Sequence, residues 1–376
     1  MNSVLNEILQ LRQGKSIQVD YLNSNRYRVV INEYDGSKTA YCFTAPIYNE
    51  KTRKIADLKF RKQDNFIYFD GTNSKIIIEN HIKIENSDGY CNFLCNKTVS
   101  EFSETYIQLL DDLILPTTNG IAYKANCKNG SAFVFNLEID KPFLDVRSND
   151  KYFCLMSDRF KPFVSVACIG TENEKEEIVA PAKISYQKLT DKLYQLTIIP
   201  GSKNCEYVFF EINLYEGKLV QDTTVESNNP KINNAFGSTA YLGNTVEFGE
   251  QWLYSKLDYS KVNDLMYKHI NRAILHMPKH NSTNLDLVCY RVSARFCSFG
   301  SNWNNKIPAA NPVSNSFASE NYQSIDITEI ITNPNTKFLV PTDGFILKPK
   351  NKGSEFSVVS TGDSYYSPQI LEINFK

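Results

Sequence analysis

Apolar and polar residues alternate with a period of two over much of this chain. Phe133, Phe135, Leu137 and Ile139 interleave with Val134, Asn136 and Glu138, and Val208, Phe210, Ile212 and Leu214 with Phe209, Glu211 and Asn213. Side chains on a strand point to opposite faces in turn, so this pattern predicts strands with one face buried. Ile82 and Ile84 repeat it against Lys83 and Glu85, after the apolar run Ile76-Ile77-Ile78. Turn signals punctuate these runs at Asp35-Gly36, Asp70-Gly71, Asp88-Gly89, Asn119-Gly120, Asn129-Gly130 and Pro200-Gly201. Short strands between regularly spaced turns predict antiparallel sandwiches rather than parallel α/β units. Helix is scarce. Val4, Ile8, Leu9 and Leu11 have helical spacing with Glu7 and Arg12 outside the stripe, which predicts a short amphipathic helix docked on the body or on a neighbour. Lys261 to Tyr267 is a second candidate, and Glu101 to Leu113 is ambiguous.

A chain of 376 residues exceeds one ordinary core and suggests two or three domains. The polar, turn-rich passage from Gln221 to Ala235 is read as the main linker. Leu115-Pro116-Thr117-Thr118 is a weaker break, dividing the front into about 1–116 and 117–220, or lying within one larger sandwich. The fold class expected is all-β: an antiparallel, jelly-roll-like β-sandwich over 222–376, able to fold alone, preceded by one or two further β-rich domains and a short N-terminal helix.

The last two-fifths carry an ordered set of sequence signatures. Trp252-Leu253-Tyr254-Ser255-Lys256-Leu257-Asp258-Tyr259-Ser260 follows an opening Gly237-Ser238-Thr239-Ala240-Tyr241-Leu242. Then come Ile270-Asn271-Arg272-Ala273-Ile274-Leu275-His276-Met277, Leu287-Val288-Cys289-Tyr290-Arg291-Val292 and the turn Asn302-Trp303-Asn304-Asn305. Ser324-Ile325-Asp326-Ile327-Thr328, Asp343-Gly344-Phe345-Ile346-Leu347 and Ser367-Pro368-Gln369-Ile370-Leu371-Glu372-Ile373 complete the series. In this order they resemble the DNRLRE modules, a secreted or surface-display family linked to carbohydrate binding. The resemblance implies a β-sandwich and a glycan ligand. Most of these residues read as core and turn: Asp258 as a turn residue, Asp326 and Thr328 as capping groups two residues apart.

Composition narrows the partners. Lys and Arg number 41 against 42 Asp and Glu, for a formal net charge of −1, so the concentrated basic face of a nucleic-acid binder is not indicated. Nothing approaches the ~18 apolar residues of a membrane helix. The first residues lack the basic start and apolar run of a secretory signal, so the expectation is synthesis in the cytoplasm and a final place on a virion or outside the cell. The nine cysteines, an odd number mostly set in apolar strand text, are read as buried free thiols; Cys297, between Phe296 and Phe299, is read as a core thiol too.

Catalytic chemistry finds little support. His81, His269, His276 and His280 have no zinc spacing, Cys91 and Cys95 have no matching second pair, and neither a Gly-x-Ser-x-Gly elbow nor a phosphate loop occurs. No catalytic residue, metal site or cofactor is assigned. Binding has better material. Trp303 sits in the polar loop Gly300-Ser301-Asn302-Trp303-Asn304-Asn305-Lys306, where an indole face stacks on a sugar while amides and a cation bond its hydroxyls; Asn304 and Arg295 are assigned to the same candidate site. Asp363, Tyr365 and Tyr366 form a second aromatic-polar loop, assigned to the same rim, with tyrosines that cover the core edge as the competing role. The competing role for Trp303 is to plug the end of the sandwich. Three functions are weighed: a non-catalytic structural or adhesive component of a surface or phage-like assembly, joined to other subunits through the N-terminal region; an exported carbohydrate-binding accessory protein; and an enzyme with a site across the domain interface.

Overall fold

The computed structural model describes residues 4–49, 54–56, 58–64, 66–94, 97–143, 145–159 and 161–376; Cys95 lies outside them. Strand accounts for 50% of the chain and helix for 6%, which bears out the all-β expectation. Among the described residues, all paired strands are antiparallel. The chain forms two compact units: residues 56–217, and residues 4–55 together with 218–376.

The first unit is one sandwich of an eight-stranded and a nine-stranded sheet. The alternating strand Phe133–Ile139 buries Phe135, Leu137 and Ile139 and pairs with both Leu193–Ile199 and Gly89–Leu94. The break expected near 116 falls inside a hairpin, since Asp112–Pro116 pairs with Gly120–Asn126. Thr117 and Thr118 are buried, and the Thr117 hydroxyl is 2.5 Å from Asn213 Oδ1. There is therefore no division into 1–116 and 117–220. The ambiguous segment Glu101 to Leu113 is strand: Glu101–Phe102, Ile107–Leu109 and the start of Asp112–Pro116. Tyr207–Leu214 is buried on both faces rather than one, with Phe209, Glu211 and Asn213 as enclosed as Phe210 and Ile212.

The second unit is built on a twelve-stranded sheet whose two halves face each other. The long strand Ala309–Ala318 joins them, pairing first with Leu287–Val292 and then with Tyr322–Asp326. Leu253, Leu287 and Leu347 from one half meet Ala273, Leu275, Ile325, Leu371 and Ile373 from the other. Residues 4–49 belong here. Lys38–Phe43 pairs with the last strand, Ile370–Phe375, and Arg28–Asn32 extends that edge, so the C-terminal sandwich begins well before residue 222.

The predicted N-terminal helix is present over Val4–Leu11. Val4 and Ile8 pack on Val29, Ile31, Tyr41, Phe43 and Tyr322, covering the outer face of that sheet. Glu7 and Arg12 are not turned outward. The Tyr322 hydroxyl donates to Glu7, and Arg12 forms a bidentate pair with Glu33 at 2.6 and 3.0 Å. The region Lys261 to Tyr267 holds only short 3-10 turns. No helix of the described residues is long and apolar enough to cross a membrane.

The polar passage after Gln221 is not a linker at its start. Val220–Glu226 is a buried strand paired along Gly249–Leu257, and its two carboxyls find partners inside. Glu226 accepts from Asn234 and Gln251 at 3.2 Å each. Asp222 Oδ2 accepts the Gly362 N–H at 2.6 Å. Asp326 and Thr328 cap as expected: Asp326 accepts from both the Thr328 N–H and its hydroxyl, at 2.9 and 2.6 Å. Asp258 holds a turn by accepting the Ser260 N–H and hydroxyl.

Candidate functional site

Three neighbouring strands of the C-terminal unit, Leu287–Val292, Phe345–Pro349 and Gly249–Leu257, set up the site through their alternation. Cys289, Leu347 and Leu253 point into the core. The residues between them, Tyr290, Ile346, Lys348, Trp252 and Tyr254, take the opposite face. That face is partly covered by the loop of residues 293–308, which lays Phe296 and Trp303 on it. Phe296 meets Tyr254 at a ring-centroid distance of 5.7 Å, and Trp303 meets Trp252 at 4.9 Å with planes tilted by 52°. The Tyr254 hydroxyl donates to the Ile307 carbonyl at 2.6 Å.

The loop is held by its asparagines. Asn302 Oδ1 accepts the N–H groups of Asn304 and Asn305, Asn305 Nδ2 donates to the Gly300 carbonyl, and Asn233 Nδ2 donates to both Ser298 and Ser301 carbonyls. Such side-chain bonds to local backbone define compact turns. Trp303 is left half-buried and Asn304 exposed. Trp303 Nε1–H has no acceptor among the described residues, whereas Trp252 Nε1–H donates to Glu250 at 2.7 Å.

Two ammonium groups crown the tryptophans. Lys306 Nζ lies 4.0 Å from the Trp303 ring centre and 5.5 Å from that of Trp252. Lys348 Nζ lies 3.7 Å from the Trp252 ring and 5.2 Å from Tyr290. Cations over indole faces are attracted by the ring quadrupole. Burial lowers the pKa of Lys348; the Glu250 charge opposes that shift and the Lys306 charge adds to it. With one carboxylate against two ammonium groups, the cluster carries a local positive charge. At the start of the same loop, Arg295 is exposed and lines a groove of about 430 Å³ with Gln221, Lys256, Asp258 and Asp343.

Trp303, Asn304 and Arg295 therefore share one loop over one sheet face. The other assigned residues sit differently. Asp363 is buried, with a carboxylate 2.6 Å from Lys218 Nζ, and Lys218 is also 3.7 Å from Asp222. Burial pushes the carboxyl of Asp363 well above its usual range and that of Asp222 upward, with Lys218 opposing both. Tyr365 retains 3% exposure and Tyr366 is half-buried. Asp363 and Tyr365 are interior groups rather than a rim, because the loop that carries them folds over the strand start at Val220. Cys297 is exposed in a turn, not in the core.

Lys306, the cation that closes the Trp303 loop in the sequence, is over the indole as that reading had it, whereas sequence reasoning missed Trp252, Tyr290 and Lys348 as site residues. The usable signal was the position of Trp252 and Tyr254, out of phase with Leu253 and Leu257 on one strand. No cluster of metal-ligating side chains occurs among the described residues. In comparison with known proteins, the chain matches no family model and no curated protein.

Proposed function

We propose that this protein is a non-catalytic structural or adhesive component of a surface or phage-like assembly, and that its C-terminal unit binds carbohydrate through the face bearing Trp303. The observation that carries this reading is the Trp303–Trp252 pair under Lys306 and Lys348, half-open at the surface, with an unused indole N–H. Aromatic faces take up the apolar side of a sugar ring, and nearby N–H and ammonium groups donate to its hydroxyls. The resemblance of residues 222–376 to DNRLRE modules supports the same ligand class.

The experiment is a glycan array probed with the full chain, followed by titration of each hit by tryptophan fluorescence. Both tryptophans of the chain lie in this unit, so a stacked sugar changes the signal. Trp303→Ala is expected to weaken binding by about 1–3 kcal/mol. Wild-type affinity of Trp303→Ala for every bound glycan would remove this face from the proposal.

A further inference from the structure

In the sandwich of residues 56–217, two cysteines from distant parts of the chain meet at one end of a strand pair. Gly120–Asn126 runs antiparallel to Tyr207–Leu214, with Asn126 opposite Tyr207. The ladder continues one bond further, from the Cys127 N–H to the Glu206 carbonyl at 2.9 Å. That brings Cys127 Sγ to 2.9 Å from Cys205 Sγ, across 78 positions of sequence. A disulfide needs about 2.05 Å between the sulfurs, so closure requires a movement of roughly 0.9 Å, within the reach of small side-chain rotations.

The two thiols differ in access. Cys127 is fully buried at the margin of the core, while Cys205 is half-buried and packs on it. Cys205 Sγ is 2.9 Å from the Ser202 carbonyl and lines an open groove of about 920 Å³. Lys128, Lys175 and Lys203 border that groove, against Glu174 and Glu206. An anionic small disulfide such as oxidised glutathione fits this surroundings by charge.

We infer that Cys127 and Cys205 form a dithiol–disulfide couple, closed by exchange with a small-molecule disulfide that enters through the groove at Cys205. The Cys205 thiolate attacks one sulfur of the glutathione disulfide; that S–S bond breaks and one glutathione thiolate leaves. The Cys127 thiolate then attacks Cys205 Sγ of the mixed disulfide and displaces the second glutathione. Two protein thiols are oxidised by two electrons, one glutathione disulfide is reduced to two thiols, and the two cysteine protons end on them. Burial and the contact with Cys205 hold the Cys127 thiol far above its ordinary pKa, so the second step is the slow one.

The test incubates the native full chain with oxidised glutathione, blocks free thiols and maps the digested peptides by mass. The expected result is one peptide pair joining Cys127 to Cys205, together with a glutathione adduct on the exposed Cys297 and no adduct left on Cys127 or Cys205. Cys127→Ser should instead retain glutathione on Cys205. The exposed Cys297 reports in the same digest that the reagent is active. Wild-type protein glutathionylated at Cys297 with Cys127 and Cys205 still thiols would overturn the inference. So would a stable glutathione adduct on wild-type Cys205.

Discussion

Lys218 is the single cation inside a buried cluster with two carboxyls, which makes it the most informative residue to change. Lys218→Met keeps most of the apolar stem but removes contacts at 2.6 Å to Asp363, 3.7 Å to Asp222 and 3.3 Å to the Ala235 carbonyl. All three side chains are under a tenth exposed, so solvent screening offers little relief. Removing one partner of a buried pair costs about 3–5 kcal/mol. Asp363→Asn should behave differently. Burial raises the folded pKa of Asp363, so the neutral amide, whose oxygen can still accept from Lys218, is expected to cost less than Lys218→Met does. The sign of the pH effect follows from the same shift. Stability from a carboxyl whose folded pKa is raised is fully present below its unfolded value near 3.8 and is lost as pH rises through the folded pKa. Asp363→Asn should therefore reduce the loss of stability above pH 4. Urea unfolding followed by tryptophan fluorescence reads this directly, because Trp252 and Trp303 both lie in the C-terminal unit. Lys218→Met within about 1 kcal/mol of the wild type, or Asp363→Asn as damaging as Lys218→Met, would show that the charges are not coupled in this way.

Trp303→Ala should also lower stability, by roughly 1–3 kcal/mol, since the half-buried ring packs on Trp252 without filling a closed core; a loss of about 5 kcal/mol in a urea melt would assign it wholly to packing. A fragment of residues 56–217 should melt cooperatively by circular dichroism, whereas 222–376 alone should aggregate, because it lacks Arg28–Asn32, Lys38–Phe43 and the helix that covers them; a monomeric, cooperatively folded 222–376 contradicts this. In native protein at pH 8, Cys297 should alkylate well before Cys42 and Cys91, whose thiols burial pushes up to about 12; equal labelling by mass spectrometry would refute the burial assigned to them.

The strands were legible where one face is wet, because period-two alternation is a direct print of a half-buried sheet. Phe133–Ile139 and the Asp88-Gly89 turn are of that kind. Val220–Glu226 was not, since Asp222 and Glu226 are buried carboxyls whose partners, Gly362 for the first and Asn234 and Gln251 for the second, are scattered along the chain. Polar text ordinarily marks a surface loop, and only the distant partners reverse that reading. Pairing of Lys38–Phe43 with Ile370–Phe375 left no local mark, so residues 4–49 could not be assigned to the far end of the chain. For the site, Trp303 stood out as an indole among amides. Trp252 did not, because an aromatic residue within a strand reads as core until the uncovered face is known. Asp363 and Tyr365 misled because a Gly-Asp-Ser-Tyr-Tyr run looks like an exposed loop while its carboxyl serves a buried lysine.

The pairing of Ser37 and Thr39 with Asn374, 337 and 335 positions apart, has a consequence for how the molecule is made. The first fifty residues leave the ribosome long before the strand that will lie beside them exists. The inserted unit of residues 56–217 has all its own partners and can fold during that interval, as domains do in order of synthesis. The N-terminal helix and hairpin must wait with an unpaired strand edge, and closing so long a loop makes this contact a slow one. Ile370–Phe375, between Lys38–Phe43 and Ile270–Pro278, then completes the C-terminal sandwich only after all the other strands of that unit have been made. A lesion in this one late strand would thus leave an early segment of the chain without its partner, so damage at one end of the sequence is felt at the other.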